Sequence, residues 1–160
     1  MSQLTLILSL QFLVASIGAG PGIMHWKHYF AVYERHFARF RGTDCVLAEV
    51  GIFSGGSLKM WRWYLGDAAT IIGIDISNDT RIYERNPAYG SPDHIVIGDQ
   101  SDPDFWRAFQ AQHPRLNILI DDGGHRPFQQ IATLEAMLPH LQPGGVFFCE
   151  DVRIESKAPQ

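Results

Sequence analysis

The chain has 160 residues, 46% hydrophobic and 19% charged, with a formal net charge of -4. That length supports one domain with a real core, and an acidic balance without a dense Lys/Arg block argues against a nucleic-acid binder, which carries a basic stripe. The two cysteines, Cys45 and Cys149, read as buried free thiols of a reducing compartment rather than as a disulfide or a metal site.

In chain order, Leu4 to Val14 is nearly all apolar and small residues follow through Gly22. This run is shorter than the about 20 residues of a membrane span. It lacks the positive n-region of a signal peptide, although Ala15 to Ala19 has the small residues of a cleavage region. Residues 1–22 are read as a stretch upstream of the folded domain, with a weak signal peptide or a partner-facing helix as alternatives. The domain itself is read as residues 23–152 and the polar tail as residues 153–160. A cytoplasmic protein without a stable membrane span is expected.

Trp26 to Phe40 carries Tyr29, Phe30, Tyr33, Phe37 and Phe40 at helical spacing, and Gly42 and Thr43 end it. Its aromatic face is read as packing. Cys45 to Val50 is the first strand; Ser54 to Ser57 is a tight turn opening a helix to about Tyr64, with Trp61 and Trp63 expected against the sheet. Thr70 to Ile76 is the second strand, Asn78 to Pro87 a short helix and loop, and His94 to Ile97 the third strand. Pro103 to Gln112 is a helix with Asp102 as its N-cap. Leu116 to Ile120, Gln129 to Leu138 and Val146 to Cys149 are the fourth strand, a helix and the fifth strand. Strands alternating with helices predict an α/β fold, a doubly wound Rossmann-like, mostly parallel sheet of about five strands.

Two acidic pairs end the last two strands: Asp121-Asp122, inside Asp-Asp-Gly-Gly-His125, and Glu150-Asp151. In an open α/β sheet the carboxyl ends of the strands line the binding crevice. If these strands are neighbours, up to four carboxylates share one rim with His125. Like charges that close resist joint ionisation unless a cation sits between them, so the pattern points to a metal-assisted site.

The earlier strand ends are weaker signals. Glu49-Val-Gly-Ile-Phe-Ser-Gly-Gly-Ser57 opens a helix but lacks G-x-G-x-x-G spacing. Its glycines suit either a plain βα turn or a ligand without a pyrophosphate. Asp75 is placed to accept from ribose hydroxyls or to cap a loop, and Asp99 and Gln100 could read an adenine edge.

Taken in order, acidic residues follow all five strands. From about Trp26 to Asp151 this resembles the class I S-adenosylmethionine-dependent methyltransferases, and most nearly the metal-dependent sugar O-methyltransferases of macrolide biosynthesis, the mycinamicin type. The pieces are His28-Tyr-Phe, Tyr33-Glu-Arg-His-Phe37, Glu49-Val-Gly, Gly55-Gly-Ser57, Met60-Trp-Arg62, Gly73-Ile-Asp-Ile76, Gly98-Asp-Gln100, Ile120-Asp-Asp-Gly-Gly-His125, and Pro143-Gly-Gly-Val146 with Glu150-Asp151.

The resemblance implies a small-molecule hydroxyl acceptor, a sugar, methylated with S-adenosylmethionine and Mg²⁺. It implies that Glu49, Gly51 and Ser57 hold the methionine end of the cofactor, Asp75 the ribose, and Asp99 and Gln100 the adenine, with Asp121 near the cofactor. Asp122, Glu150 and Asp151 are the implied metal ligands and His125 the implied general base.

Two departures stand out. The family's Asp-Gly-Ser-His reads Asp122-Gly-Gly-His125 here. The chain also ends nine residues after Asp151, so the final strand pair of the class I fold is expected to be missing. That motivates an alternative expectation, an inactive cofactor-binding or assembly module, and a homo-oligomer joined through the fifth-strand edge.

Overall fold

The computed structural model describes residues 22, 23 and 25–152. Apart from Gly22, the upstream stretch read over residues 1–22 lies outside the described residues, as does the polar tail 153–160.

Five strands, β1 (Val46–Val50), β2 (Thr70–Asp75), β3 (His94–Ile97), β4 (Leu116–Asp121) and β5 (Leu141–Cys149), form one sheet in the order β3-β2-β1-β4-β5. All four pairings are parallel. The chain runs outward from β1 through β2 to β3, then returns to the other side of β1 for β4. The strand order therefore reverses at the β1–β4 seam, where Val50 lies opposite Asp121. A reversal of this kind leaves a crevice at the carboxyl ends, because the loops on its two sides leave in opposite directions.

Alternation along the buried strands feeds two cores, as expected where helices cover both faces. Leu47, Ile71, Ile118 and Ile120 pack with Phe30, Tyr33 and Phe37 of α1 (Tyr29–Phe37) and with Leu58, Trp61 and Tyr64 of α2 (Gly56–Leu65). Ala48, Val50, Ile72, Ile74 and Leu119 pack with Trp106 and Phe109 of α3 (Pro103–Gln112) and Met137 of α4 (Pro127–Met137). Fully burying one such apolar side chain contributes about 1.5–3 kcal/mol.

Local chemistry explains the element ends. Asp102 caps α3, accepting from the Asp104 N–H at 2.8 Å, and Pro103 takes the first helical position, where a missing N–H costs nothing. Pro127 starts α4 two residues before the expected Gln129 for the same reason.

Four expectations shift. The aromatic helix is shorter, with a 3₁₀ turn over Ala38–Phe40. The Asn78 to Pro87 segment holds two 3₁₀ helices, Asn78–Tyr83 and Pro87–Tyr89. Strand β5 begins at Leu141 instead of Val146, passing an irregularity opposite Leu116 and Ile118. Trp61 is fully buried, but Trp63 is 48% exposed: it sits on the outer side of α2 and does not pack against the sheet. Both cysteines are free thiols, Cys45 buried and Cys149 half-buried, and burial pushes the Cys149 thiol up to about 12. No helix among the described residues is long and apolar enough to cross a membrane.

Candidate active site

The crevice at the β1–β4 seam opens into a cleft of about 720 Å³ that takes in Gly51, Asp75, Asp99, Gly123, His125 and Asp151. Gly51 forms its floor with φ +83°, and a Cβ at this position would run into the backbone of Asp122 and Gly123. Only glycine allows both the left-handed conformation and that approach.

The residues expected at the cofactor are held in different ways. Asp75 lines the cleft and also fastens the turn after β1. One of its oxygens accepts from the Ile52 and Phe53 N–H groups at 3.2 Å, and the other from the Ser77 N–H at 2.8 Å. Asp99 lines the cleft too; the Ser101 N–H and hydroxyl, at 2.8 and 2.7 Å, hold its carboxyl below the usual carboxylate range.

Gln100 is buried, and its side chain is spent on the neighbouring loop. It donates to Asp121 Oδ1 at 2.9 Å and to Thr133 Oγ1 at 3.0 Å, and accepts from the Gly124 N–H at 2.7 Å. Glu49 is fully buried behind the lining, accepting from Ser57 Oγ at 2.6 Å and Trp61 Nε1 at 3.1 Å, and burial pushes its carboxyl upward. Asp121 is fully buried, with Oδ2 lacking a hydrogen-bond partner among the described residues, and burial raises its pKa.

Strands β4 and β5 are neighbours, with Asp121 opposite Cys149, so Asp122, Glu150 and Asp151 leave the sheet side by side. The three do not close into one group. Asp122 and Glu150 converge with His25, and Asp122 and Asp151 converge with His125, each set having one ligand atom per residue within 4.8 Å of the others. His125 sits at φ +55°, a left-handed conformation for a non-glycine residue. Its Nε2 lies 3.9 Å from Asp122 Oδ1, and its Nδ1 is buried without a partner among the described residues.

The aromatic helix reaches into this rim, so it does more than pack. The Tyr33 hydroxyl donates to Glu150 Oε1, and the Tyr29 hydroxyl and Trp26 Nε1 donate to Asp151 Oδ1 at 3.1 and 2.9 Å. His25, which no motif singles out, is the main residue that sequence reasoning missed. The available signal was tyrosine at both Tyr29 and Tyr33, four residues apart on the buried face: a buried hydroxyl needs an acceptor.

Charge crowds here as the strand ends suggested. Burial, reinforced by the Glu150 charge, pushes the Asp122 carboxyl up to about 8. For His25, burial opposes the charged form, but the hydrogen bond to Glu150 and the charges of Glu150, Glu49 and Asp122 outweigh it, and the imidazole is pushed up to about 9. Carboxylates this close, with only histidines as cationic partners among the described residues, suit a divalent cation with oxygen ligands.

A pH prediction follows for protein held in chelator. His25 is raised from 6.5 to about 9, so the stability from its charge is complete below about pH 6.5 and is lost as pH rises through 9. Asp122, also raised, acts in the same direction. Stability is expected to fall between pH 6.5 and 9 by on the order of 2 kcal/mol, which lowers the melting temperature by about 4–8 °C for a chain of this size. A flat thermal profile across that window would show that His25 is not held charged in the fold.

Comparison with known proteins adds the following. A family profile described as a methyltransferase domain matches residues 48–152. The 8-demethyl-8-alpha-L-rhamnosyl tetracenomycin-C 2'-O-methyltransferase of Streptomyces olivaceus is 34% identical over 132 residues, covering 78% of this chain and 33% of the relative. The mycinamicin VI 2''-O-methyltransferase of Micromonospora griseorubida is 29% identical over 138 residues, covering 82% and 32%. The solved MycE methyltransferase from the mycinamycin biosynthetic pathway, in complex with Mg, SAH and mycinamycin VI, superposes with a TM-score of 0.73 at 27% identity, covering 91% of this chain and 39% of that one. The chain spans about a third of the length of the curated relatives it matches. Strand order, the glycine-floored cleft and these matches agree, and the chain belongs to the class I methyltransferase-domain family, alongside the sugar O-methyltransferases of macrolide and tetracenomycin type.

Proposed function

We propose that this chain carries the cofactor- and metal-binding part of an S-adenosylmethionine-dependent O-methyltransferase that uses Mg²⁺ and acts on a hydroxyl of a sugar or glycosylated natural product. The observation that carries the reading is the convergence of Asp122, Asp151 and His125 at the mouth of a cleft floored by Gly51, with Glu150 grouped with Asp122 on its inner side. The named activities of the relatives support it, and no observation favours the alternative of an inactive module.

When bound, the cofactor supplies an electrophilic methyl group and the metal polarises the acceptor hydroxyl. The chain's own residues bind, align and move the proton. Asp75 already accepts three N–H groups, and a carboxylate has about four acceptor sites, which leaves room for a ribose hydroxyl. Asp99 faces the adenine side of the cleft, and Gln100, which lines it as well, fixes the 121–124 loop. Gly51 lets the methionine end approach the backbone, with Glu49 and Ser57 stiffening the wall beneath. Asp121 borders the cofactor; Asp122, Glu150 and Asp151 hold the metal. His125, beside Asp122, takes the acceptor proton, and in-line attack then depends mainly on alignment.

Titration calorimetry with S-adenosylhomocysteine, with and without Mg²⁺, tests this. Binding is expected, and Asp122→Ala should abolish any Mg²⁺ dependence while leaving cofactor affinity within about threefold, since Asp122 would hold the metal while other residues would hold the cofactor. Absence of heat from well-folded protein would sink the proposal.

A further inference from the structure

The inner half of the rim holds chemistry that the all-oxygen reading does not use. His25 Nδ1 lies 3.0 Å from Glu150 Oε2 and 3.9 Å from Asp122 Oδ2, with the His25 and Glu150 side chains 3% and 2% exposed. Asp151 is turned outward from this group: its Oδ1 is engaged by Trp26 Nε1 and the Tyr29 hydroxyl, and it converges with His125 instead.

We propose that His25, Asp122 and Glu150 form a nitrogen-containing position for a borderline divalent ion, such as Mn²⁺, Co²⁺ or Zn²⁺. It rests on the metal-site part of the reading above and not on methyl transfer.

Three features carry it. The first is spacing. Ligand atoms bound to one ion at about 2.0–2.2 Å stand about 3.0–3.5 Å apart. The His25–Glu150 separation of 3.0 Å already fits, and the His25–Asp122 separation of 3.9 Å closes with a shift of about half an ångström.

The second is the outer support. A metal-binding imidazole commonly aims its other nitrogen at a carboxylate, which fixes the tautomer and ring orientation. His25 Nε2 lies 3.9 Å from Glu49 Oε1, and Glu49 is itself anchored by Ser57 and Trp61. Tyr33 adds a brace: its hydroxyl donates to Glu150 Oε1 and lies 3.2 Å from His25 Nδ1, so imidazole and carboxylate are oriented by one group.

The third is donor type. Mg²⁺ prefers oxygen and keeps several waters, whereas one imidazole with two carboxylates suits Mn²⁺, Co²⁺ or Zn²⁺.

Cobalt serves as the probe, added to the full chain. Binding through Nδ1 leaves an Nε2–H facing Glu49, so Co²⁺ should produce one strongly shifted, exchangeable imidazole N–H resonance. That resonance is expected to persist in His125→Ala and to vanish in His25→Ala. His25→Ala should also weaken Co²⁺ and Zn²⁺ binding at least about tenfold, the scale at which even outer-shell partners act, while changing Mg²⁺ affinity less than about threefold.

If His25→Ala folds poorly, His25→Gln and histidine-selective ¹⁵N labelling of the unmodified chain provide the same assignment. Unchanged Co²⁺ affinity in the His25 variants, loss of the resonance only in His125→Ala, or no Co²⁺ binding at all would each overturn the proposal. S-adenosylhomocysteine binding is read separately: its failure with the cobalt signal intact removes the methyltransferase reading alone, and the reverse result removes only this one.

Discussion

His125→Asn is expected to slow methyl transfer to a glycoside acceptor by about 10²–10⁴-fold, the range that a positioned general base contributes, with S-adenosylhomocysteine affinity nearly unchanged. Asparagine is the informative replacement because His125 sits at φ +55°, a conformation that asparagine tolerates and alanine does not favour. Loss of rate in the asparagine variant therefore reports lost proton transfer and not a rearranged loop. The geometry gives the reason for the expectation. The imidazole lines the cleft, with Nε2 3.9 Å from Asp122 Oδ1 and a buried Nδ1 that no group among the described residues satisfies. A strained, under-satisfied side chain beside a candidate metal ligand is the arrangement in which function outweighs local stability. His125→Ala should be slow as well and also less stable. Full turnover by the asparagine variant would remove His125 from the proton path.

Gly51→Ala is expected to cost at least about 3 kcal/mol of stability, or to push the 121–124 loop aside and abolish cofactor binding. The left-handed φ of +83° accounts for only about 1–2 kcal/mol of that. The remainder is contact. An added Cβ would overlap the Asp122 carbonyl oxygen and meet the Asp122 carbonyl carbon and Gly123 Cα at 2.7 and 2.8 Å. These are backbone atoms of a loop whose Asp122 N–H is tied to the Val50 carbonyl at 3.0 Å, so they cannot yield as a flexible side chain would. Gly144→Ala supplies the control: φ is +77°, yet an added Cβ meets nothing within 4 Å. Urea midpoints should separate the two variants clearly. Equal losses would mean that backbone strain, and not close approach, is what Gly51 provides.

Much of the architecture was legible because its signals are local. Apolar runs with an acidic residue at or near the carboxyl end located all five strands, and Asp102-Pro103 located the start of α3 to the residue. The ends of β4 and β5 were adjacent as the acidic pairs suggested. What stayed hidden depends on contacts distant in sequence. A helix rich in tyrosine reads as core by periodicity, and only the folded sheet shows that Tyr33 and Tyr29 end on Glu150 and Asp151, more than 100 residues away. His25 lacks a motif for the same reason. Internal competition was hidden too: Gln100 has the right side chain at the right strand end, but Asp121, Thr133 and Gly124 already occupy its amide. Trp63 shares a helix with Trp61 but faces outward, because two residue steps turn the side chain by about 200° around α2.

The pairing of His25 with Glu150, and of Trp26 with Asp151, joins the first and last parts of the described chain across a sequence separation of 125 residues. Such a contact acts as a loop closure. A covalent bridge around a loop of about 100 residues removes about 4–5 kcal/mol of unfolded-chain entropy, and an ion held jointly by His25 and Glu150 would act as a reversible version of it. Metal occupancy would then set the cooperativity of the whole domain: with the closure made, its two ends unfold together with the sheet, and with it open the segment around His25 is free to fray first.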